Sequence, residues 1–116
     1  MEVNLVLTEG PASVRMWHAF RLGASLISRG SRLRVFLLDD GAYLAVSGQR
    51  PPAQISELAA ESKLDELVDL GARVEVCGVC LEHRGLDEKD LMANVRVSTM
   101  IDLADHVMET DRTLVF

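Results

Sequence analysis

The sequence predicts an α/β fold, a three-layer α/β/α sandwich around a mostly parallel five-stranded sheet. Short apolar, β-favouring runs alternate with longer stretches whose apolar residues step by three or four, the pattern of strands joined by crossover helices. Runs such as Val35-Phe36-Leu37-Leu38 do not alternate apolar with polar, as expected of strands covered on both faces. The 116 residues, 48% hydrophobic, fit one domain over 1–116, a size that buries about two-thirds of its unfolded surface. Such a core needs neither a metal nor a disulfide to hold it.

Val3 to Leu7 is the first strand, ended by the turn residues Glu9-Gly10-Pro11. A helix follows, with Val14, Trp17, Phe20, Ala24 and Ile27 on its apolar side, Ser13 as cap and Gly30 as stop. Arg32 to Leu38 is the second strand, closed by Asp39-Asp40-Gly41. Ala42 to Val46 suits a helical turn, and Gly48-Gln49-Arg50-Pro51-Pro52 must be loop, because proline removes donors and restricts its neighbour. The next helix has Ile55, Leu58, Ala59, Leu64, Leu67, Val68 and Leu70 on its apolar side, with Glu57, Glu61, Asp65, Glu66 and Asp69 wet. Gly71 supplies its left-handed cap. Arg73 to Val76 is a third strand, leading into Cys77, a short helix to Arg84, a break at Gly85 and a turn over Glu88 to Met92. Asn94 to Val97, Thr99 to Met108 and Thr113 to Phe116 complete the pattern as strand, helix and strand.

Lys+Arg 12 against Asp+Glu 18 leaves a net charge of −6, and the only lysines are Lys63 and Lys89. A nucleic-acid backbone would find little to bind, since lysine and arginine supply phosphate contacts. The start, Met-Glu-Val-Asn-Leu-Val-Leu, has no basic lead, and no apolar run approaches the ~20 residues of a membrane span. These features predict a cytoplasmic protein with no nucleic-acid or membrane partner. In a reducing compartment thiols stay free unless they do chemistry, which directs attention to Cys77 and Cys80.

Ligands of open α/β sheets bind beyond the carboxyl ends of the strands. That edge collects Thr8-Glu9-Gly10-Pro11, Asp39-Asp40-Gly41, Cys77 and Ser98. Cys77 stands where a strand passes into a helix, so unsatisfied amides and the positive end of the helix would favour its thiolate, the nucleophilic form. Cys80 follows within one turn, and His83 and Arg84 come three and four residues later, able to add positive charge. His83, Arg84, Gly10 and Asp39 are therefore the candidates for stabilising the thiolate or binding substrate. Competing readings are two buried core cysteines, a zinc site and a thioredoxin-like motif. Zinc lacks a fourth ligand, and Val76 replaces the aromatic residue that precedes a thioredoxin-like cysteine. No metal or cofactor is expected.

Asp39-Asp40 resembles half of a phospho-accepting acidic pocket, but the third strand ends in cysteine and no lysine follows the last. A turn held by carboxylates is the simpler reading. Gly78 and Gly85 form no phosphate-cradling GxGxxG. His18 reads as a surface or interface residue, His106 as a solvated partner of Asp102 and Asp105, and Trp17 and Phe20 as core or interface.

The segment Arg73-Val-Glu-Val-Cys77-Gly-Val-Cys80-Leu-Glu-His83-Arg84-Gly85-Leu86 resembles the cysteine region of the DsrE/DsrF-like sulfur-relay superfamily, above all its YchN-like branch, which carries CxxC followed by Arg-Gly. The likeness runs through Glu9-Gly10-Pro11, Gly48-Gln49-Arg50-Pro51, the helix start from Ser98 to Leu103 and the ending Thr113-Leu-Val-Phe116. The resemblance implies an α/β/α domain that assembles into a homo-oligomer, a trimer or hexamer, with the cysteine near a subunit boundary. It also implies that Cys77 carries sulfane sulfur as a persulfide between donor and acceptor proteins. Cys80 departs from the sulfur-transfer members and opens two alternatives, a thiol-redox or sulfide-releasing role. A non-enzymatic oligomeric module with buried cysteines is the remaining one.

Overall fold

The computed structural model describes residues 1–116, the side chains of Ile55, Glu57 and Leu58 excepted. The strands β1 (Glu2–Leu7), β2 (Arg32–Leu37), β3 (Arg73–Cys77), β4 (Val95–Ser98) and β5 (Arg112–Val115) form one sheet in the order β4-β3-β2-β1-β5. Every neighbouring pair is parallel, so all five carboxyl ends share one edge. The helices are α1 (Val14–Ser28), α2 (Ala60–Asp69), α3 (Gly78–His83) and α4 (Met100–Glu109).

From β1 to β4 the chain advances in one direction across the sheet, and from β4 to β5 it returns past three strands. Because parallel crossovers are right-handed, the return places its helix on the opposite face. The two cores follow that division. Val3, Leu5, Leu7, Leu33, Val35, Leu37, Val74 and Val76 pack with Met16, Ala19 and Phe20 of α1 and Ala60, Leu64 and Leu67 of α2. On the other face Val6, Phe36 and Cys77 meet Leu103 of α4.

Several local expectations change. The helix expected from Ile55 to Leu70 is two pieces, a 3-10 helix Ala53–Leu58 and α2, separated at Ala59 with φ −56 and ψ 128. The faces expected of Ile55, Glu57 and Leu58 lie outside the described residues, and Leu70, expected on the apolar side, is exposed. The break is tied to the preceding loop: Glu61, in the first turn of α2, accepts the amides of Gly48 and Gln49, each at 3.0 Å. Ser13 occupies the cap position of α1, but its hydroxyl donates to Glu9 Oε1 at 2.6 Å and caps nothing. His106 is not solvated beside Asp102 and Asp105. It lies on the inward side of α4 with Leu103, three residues away, and its Nε2 sits 3.2 Å from Glu75 Oε2, beside the Phe36 ring. His18 is exposed, as expected.

After β2 the chain forms a 3-10 helix, Asp39–Ala45, that packs directly on the end of β1. Gly41 makes this possible, because a Cβ there would lie 2.1 Å from the Leu7 carbonyl oxygen. Gly41→Ala should lower stability by about 2 kcal/mol or more, since backbone on both sides must move. Urea unfolding monitored by circular dichroism would measure this.

Candidate active site

Cys77 is both the last residue of β3 and the cap of α3. Its strand lies second from one edge, between β2 and β4, and its register partner on β4 is Ser98. Cys77 is 5% exposed, and its Sγ accepts the Cys80 amide at 3.4 Å. Cys80 is half-buried, and its Sγ accepts the amide of Asp39, which crosses over from the end of β2, at 3.1 Å. Both cysteines are free thiols.

The two sulfurs influence each other. Burial first, then the hydrogen bond from Cys80 to the Cys77 sulfur, raise the Cys80 pKa above the usual thiol value. The Asp39 amide and the positive charge of Arg84 act in the opposite direction. On balance the surroundings of Cys80 favour its thiol form over its thiolate.

Among the described residues, no hydrogen bond of the Arg84 guanidinium goes to either sulfur. Nε and Nη2 donate to Asp40 Oδ1 at 3.0 and 2.7 Å, Nη2 also donates to Asp39, and Nη1 donates to the Cys80 carbonyl at 3.1 Å. The guanidinium carbon also stands 5.9 Å from the Tyr43 ring centre. Asp39 has φ +55, a left-handed conformation that costs a residue with a side chain roughly 1–2 kcal/mol and is tolerated best by Asn and Asp.

The predicted residues separate into those that converge and those that do not. Cys77, Cys80, Asp39 and Arg84 form one connected group. His83 is exposed on the rim of the adjoining groove, and among the described residues no hydrogen bond or ion pair joins it to a sulfur. Gly10 stands against the Asp40 carbonyl, where a Cβ would be 3.8 Å from that oxygen, and does not line the adjoining groove. Among the described residues no three His, Cys, Asp or Glu side chains are placed to hold a metal ion.

Beside the thiols runs an open groove of about 690 Å³. Leu38, Val79, Val97 and Met100 make its apolar walls, with His83 and Arg96 among the polar residues that complete it. At its α4 end, Asp102 accepts the hydroxyls of Ser98 and Thr99 at 2.8 and 2.9 Å and the Thr99 amide at 3.2 Å, while Thr99 Oγ1 accepts the Asp102 amide. This reciprocal cap begins α4 and fixes Ser98 next to Cys77. The spacing Thr99-x-x-Asp102 was its signal in the sequence. The ion pairs between Arg84 and the two aspartates had a weaker one: opposite charges assigned to the same sheet edge.

Fold and site together define a class, parallel α/β proteins with a free CxxC thiol pair at the carboxyl edge of the sheet. Within that class the chain belongs to the DsrE/DsrF-like family, whose model matches residues 1–116, and its similarity to YchN supports a place near the YchN-like branch. It is 34% identical to an uncharacterized protein of Methanocaldococcus jannaschii over the whole of both chains. It is 26% identical to protein YchN of Escherichia coli over 90% of this chain and 88% of that one. The crystal structure of E. coli YchN superimposes with a TM-score of 0.87, covering 100% of both chains at 24% identity.

Hydrogen bonds from the Ser98 hydroxyl first, then from Thr99, hold the Asp102 carboxyl below the ordinary aspartate value of 3.8. A depressed folded-state pKa stabilises the protein above the unfolded value and ceases to do so as pH falls through the folded one. Asp102→Asn should therefore lower Tm at pH 7 and show a smaller further loss than the parent below pH ~4. Melting curves across that range would check it, and parallel curves for the two proteins would contradict it.

Proposed function

We propose that this protein takes up sulfane sulfur on Cys77 as a persulfide and passes it on, with Cys80 as the resolving or second carrier thiol. One observation carries the reading: Cys77 faces the groove with Cys80 beside it as a thiol donor within hydrogen-bond reach. Membership of the DsrE/DsrF-like family supports it, since sulfur relay is the chemistry that family implies.

In the uptake step the Cys77 thiolate attacks the terminal sulfur of a donor persulfide R–S–SH. A new S–S bond forms, the donor's S–S bond breaks, and its electron pair leaves with R–S⁻, while the proton stays with the transferred sulfur. Attack by an acceptor thiolate on that sulfur reverses the pattern and frees Cys77. Alternatively the Cys80 thiolate attacks the inner sulfur. The Cys77–Cys80 disulfide then forms, the terminal sulfur departs as HS⁻, and the dithiol gives up the two electrons that reduce the sulfane sulfur.

Incubation of the reduced protein with a sulfane-sulfur donor, followed by intact-mass measurement, tests this. The parent should gain about 32 Da, one sulfur atom, or lose the two thiol hydrogens as a disulfide. Cys77→Ser should do neither, and Cys80→Ser should retain the adduct. No change in the parent, or equal labelling of Cys77→Ser, would leave a structural thiol pair in a non-catalytic module.

The same reading makes the protein a cytoplasmic homo-oligomer, a trimer or hexamer, with donor and acceptor proteins as partners. Ile101 and Met108, seven residues apart on one face of α4, are 76% and 86% exposed. Met100 and Val107 continue the apolar surface, and Met100 also walls the groove. A second copy on this surface would stand at the edge of the thiol site. Ile101→Asp combined with Met108→Asp should reduce the molar mass in light scattering to a smaller species. An unchanged assembly, or a parent that is already monomeric, would remove α4 from any interface.

A further inference from the structure

Arg84 draws together three features that have no common purpose in the fold alone: a left-handed non-glycine residue, a pair of adjacent carboxylates, and a sulfur that accepts a backbone amide. Among the described residues Asp39 is the only one other than glycine with positive φ. Its amide donates to Cys80 Sγ at 3.1 Å, while its carboxylate and that of Asp40 are both held by Arg84. The side chain of Arg84 is 16% exposed although both carboxylates are largely in water. It also holds the Cys80 carbonyl, so one guanidinium ties the turn after β2 to the helix that carries the second thiol.

We propose that Arg84 is a positioning residue for Cys80: by clamping Asp39 and Asp40 it keeps the Asp39 turn left-handed and its amide aimed at the Cys80 sulfur. A rigid two-carboxylate grip suits guanidinium, whose planar fork offers several donors in fixed directions. Without it Asp39 is free to relax to the negative φ that residues with side chains prefer, which turns its amide away. The purpose of the clamp rests on the persulfide reading. Before transfer, Cys80 lies beside Cys77 with its thiol form favoured by burial and by that neighbour. Once Cys77 bears the extra sulfur, Cys80 must itself become a thiolate in a half-buried place, and the Asp39 amide is the donor that meets it.

The clamp is tested on Cys80 alone, in the Cys77→Ser protein, where no sulfur can be carried on residue 77. The charged and titratable groups placed around this sulfur are then Arg84 at the end of its helix, Asp39 and Asp40 from the 3-10 helix, and Glu82, His83, Arg96 and Asp102 along the groove. Iodoacetamide alkylation is followed by intact mass from pH 6 to 10, and the Asp39 amide by hydrogen exchange. Arg84→Gln should slow alkylation at pH 7 about tenfold, the effect of losing one hydrogen bond to an anion. It should move the pH midpoint upward and speed Asp39 exchange about tenfold or more. Arg84→Lys keeps the charge without the fork and should resemble Arg84→Gln; it also decides the matter if the glutamine variant does not fold. Unchanged alkylation, full restoration by lysine, or slower alkylation with undisturbed Asp39 exchange would each overturn the clamp. Failure of the mass test on Cys77, with these shifts intact, would overturn the persulfide reading and leave the clamp standing.

Discussion

A parallel sheet has to be covered on both faces, and this chain must cover one of them with a single ten-residue helix. The strand order β4-β3-β2-β1-β5 sends α1 and α2 to one side, where they close a continuous aliphatic core. Only the return from β4 to β5 reaches the other side, and α4 meets a shorter apolar set there, Val6, Phe36 and Cys77 around Leu103. Buried polar residues occupy the remainder of that face: Asn4, Glu75 and Ser98. Each polar group removed from water needs a partner. Glu75 has His106 and Ser98 has Asp102, both supplied by α4. The helix therefore acts through polar contacts as much as through apolar burial. Between its first turn, β4 and α3 it leaves a groove, and that groove opens on the sulfurs.

Placement of the thiols follows from the same parallel arrangement. Since all strands end at one edge, the last residues of β2, β3 and β4 are neighbours although they are far apart in the chain. Cys77 accordingly meets Ser98, and Cys80 meets Asp39. No local sequence feature produces these pairings. They arise because parallel register aligns Leu37 with Val76 and Val97.

This explains what could be read from residues alone. Alternation of strands and helices, and the unbroken apolar run at Val35 to Leu38, were legible because they reflect burial over several residues. The dithiol was legible because two cysteines three residues apart at a strand end form a local pattern. His106 was misread because its neighbours in the chain, Asp102 and Asp105, are acidic, whereas its orientation is set by Glu75 and Phe36 on a distant strand pair. The helix expected through Ala59 was misread because apolar spacing continues across a point where Glu61 is bound to the preceding loop. Asp39-Asp40 read as a simple turn, since the partner that gives it further meaning lies 45 residues away at Arg84.

Two identical side chains acquire different tasks through their surroundings. Cys77 ends a strand, is nearly buried and receives the Cys80 amide, so its sulfur faces the groove from a fixed position. Cys80 sits half-buried on a short helix, where burial and the neighbouring sulfur favour the thiol while Asp39 and Arg84 favour the anion. In the proposed sulfur transfer these influences would not cancel at every stage. The hydrogen bond to Cys77 and the repulsion from it depend on the charge that Cys77 carries, whereas the amide of Asp39 and the charge of Arg84 remain. In the proposed transfer, a persulfide on Cys77 would carry its charge one atom further away and so weaken that repulsion. On that reading the second thiol would become more available at the stage when the first is occupied, with the proposed Arg84 clamp outside the CxxC motif setting the bias.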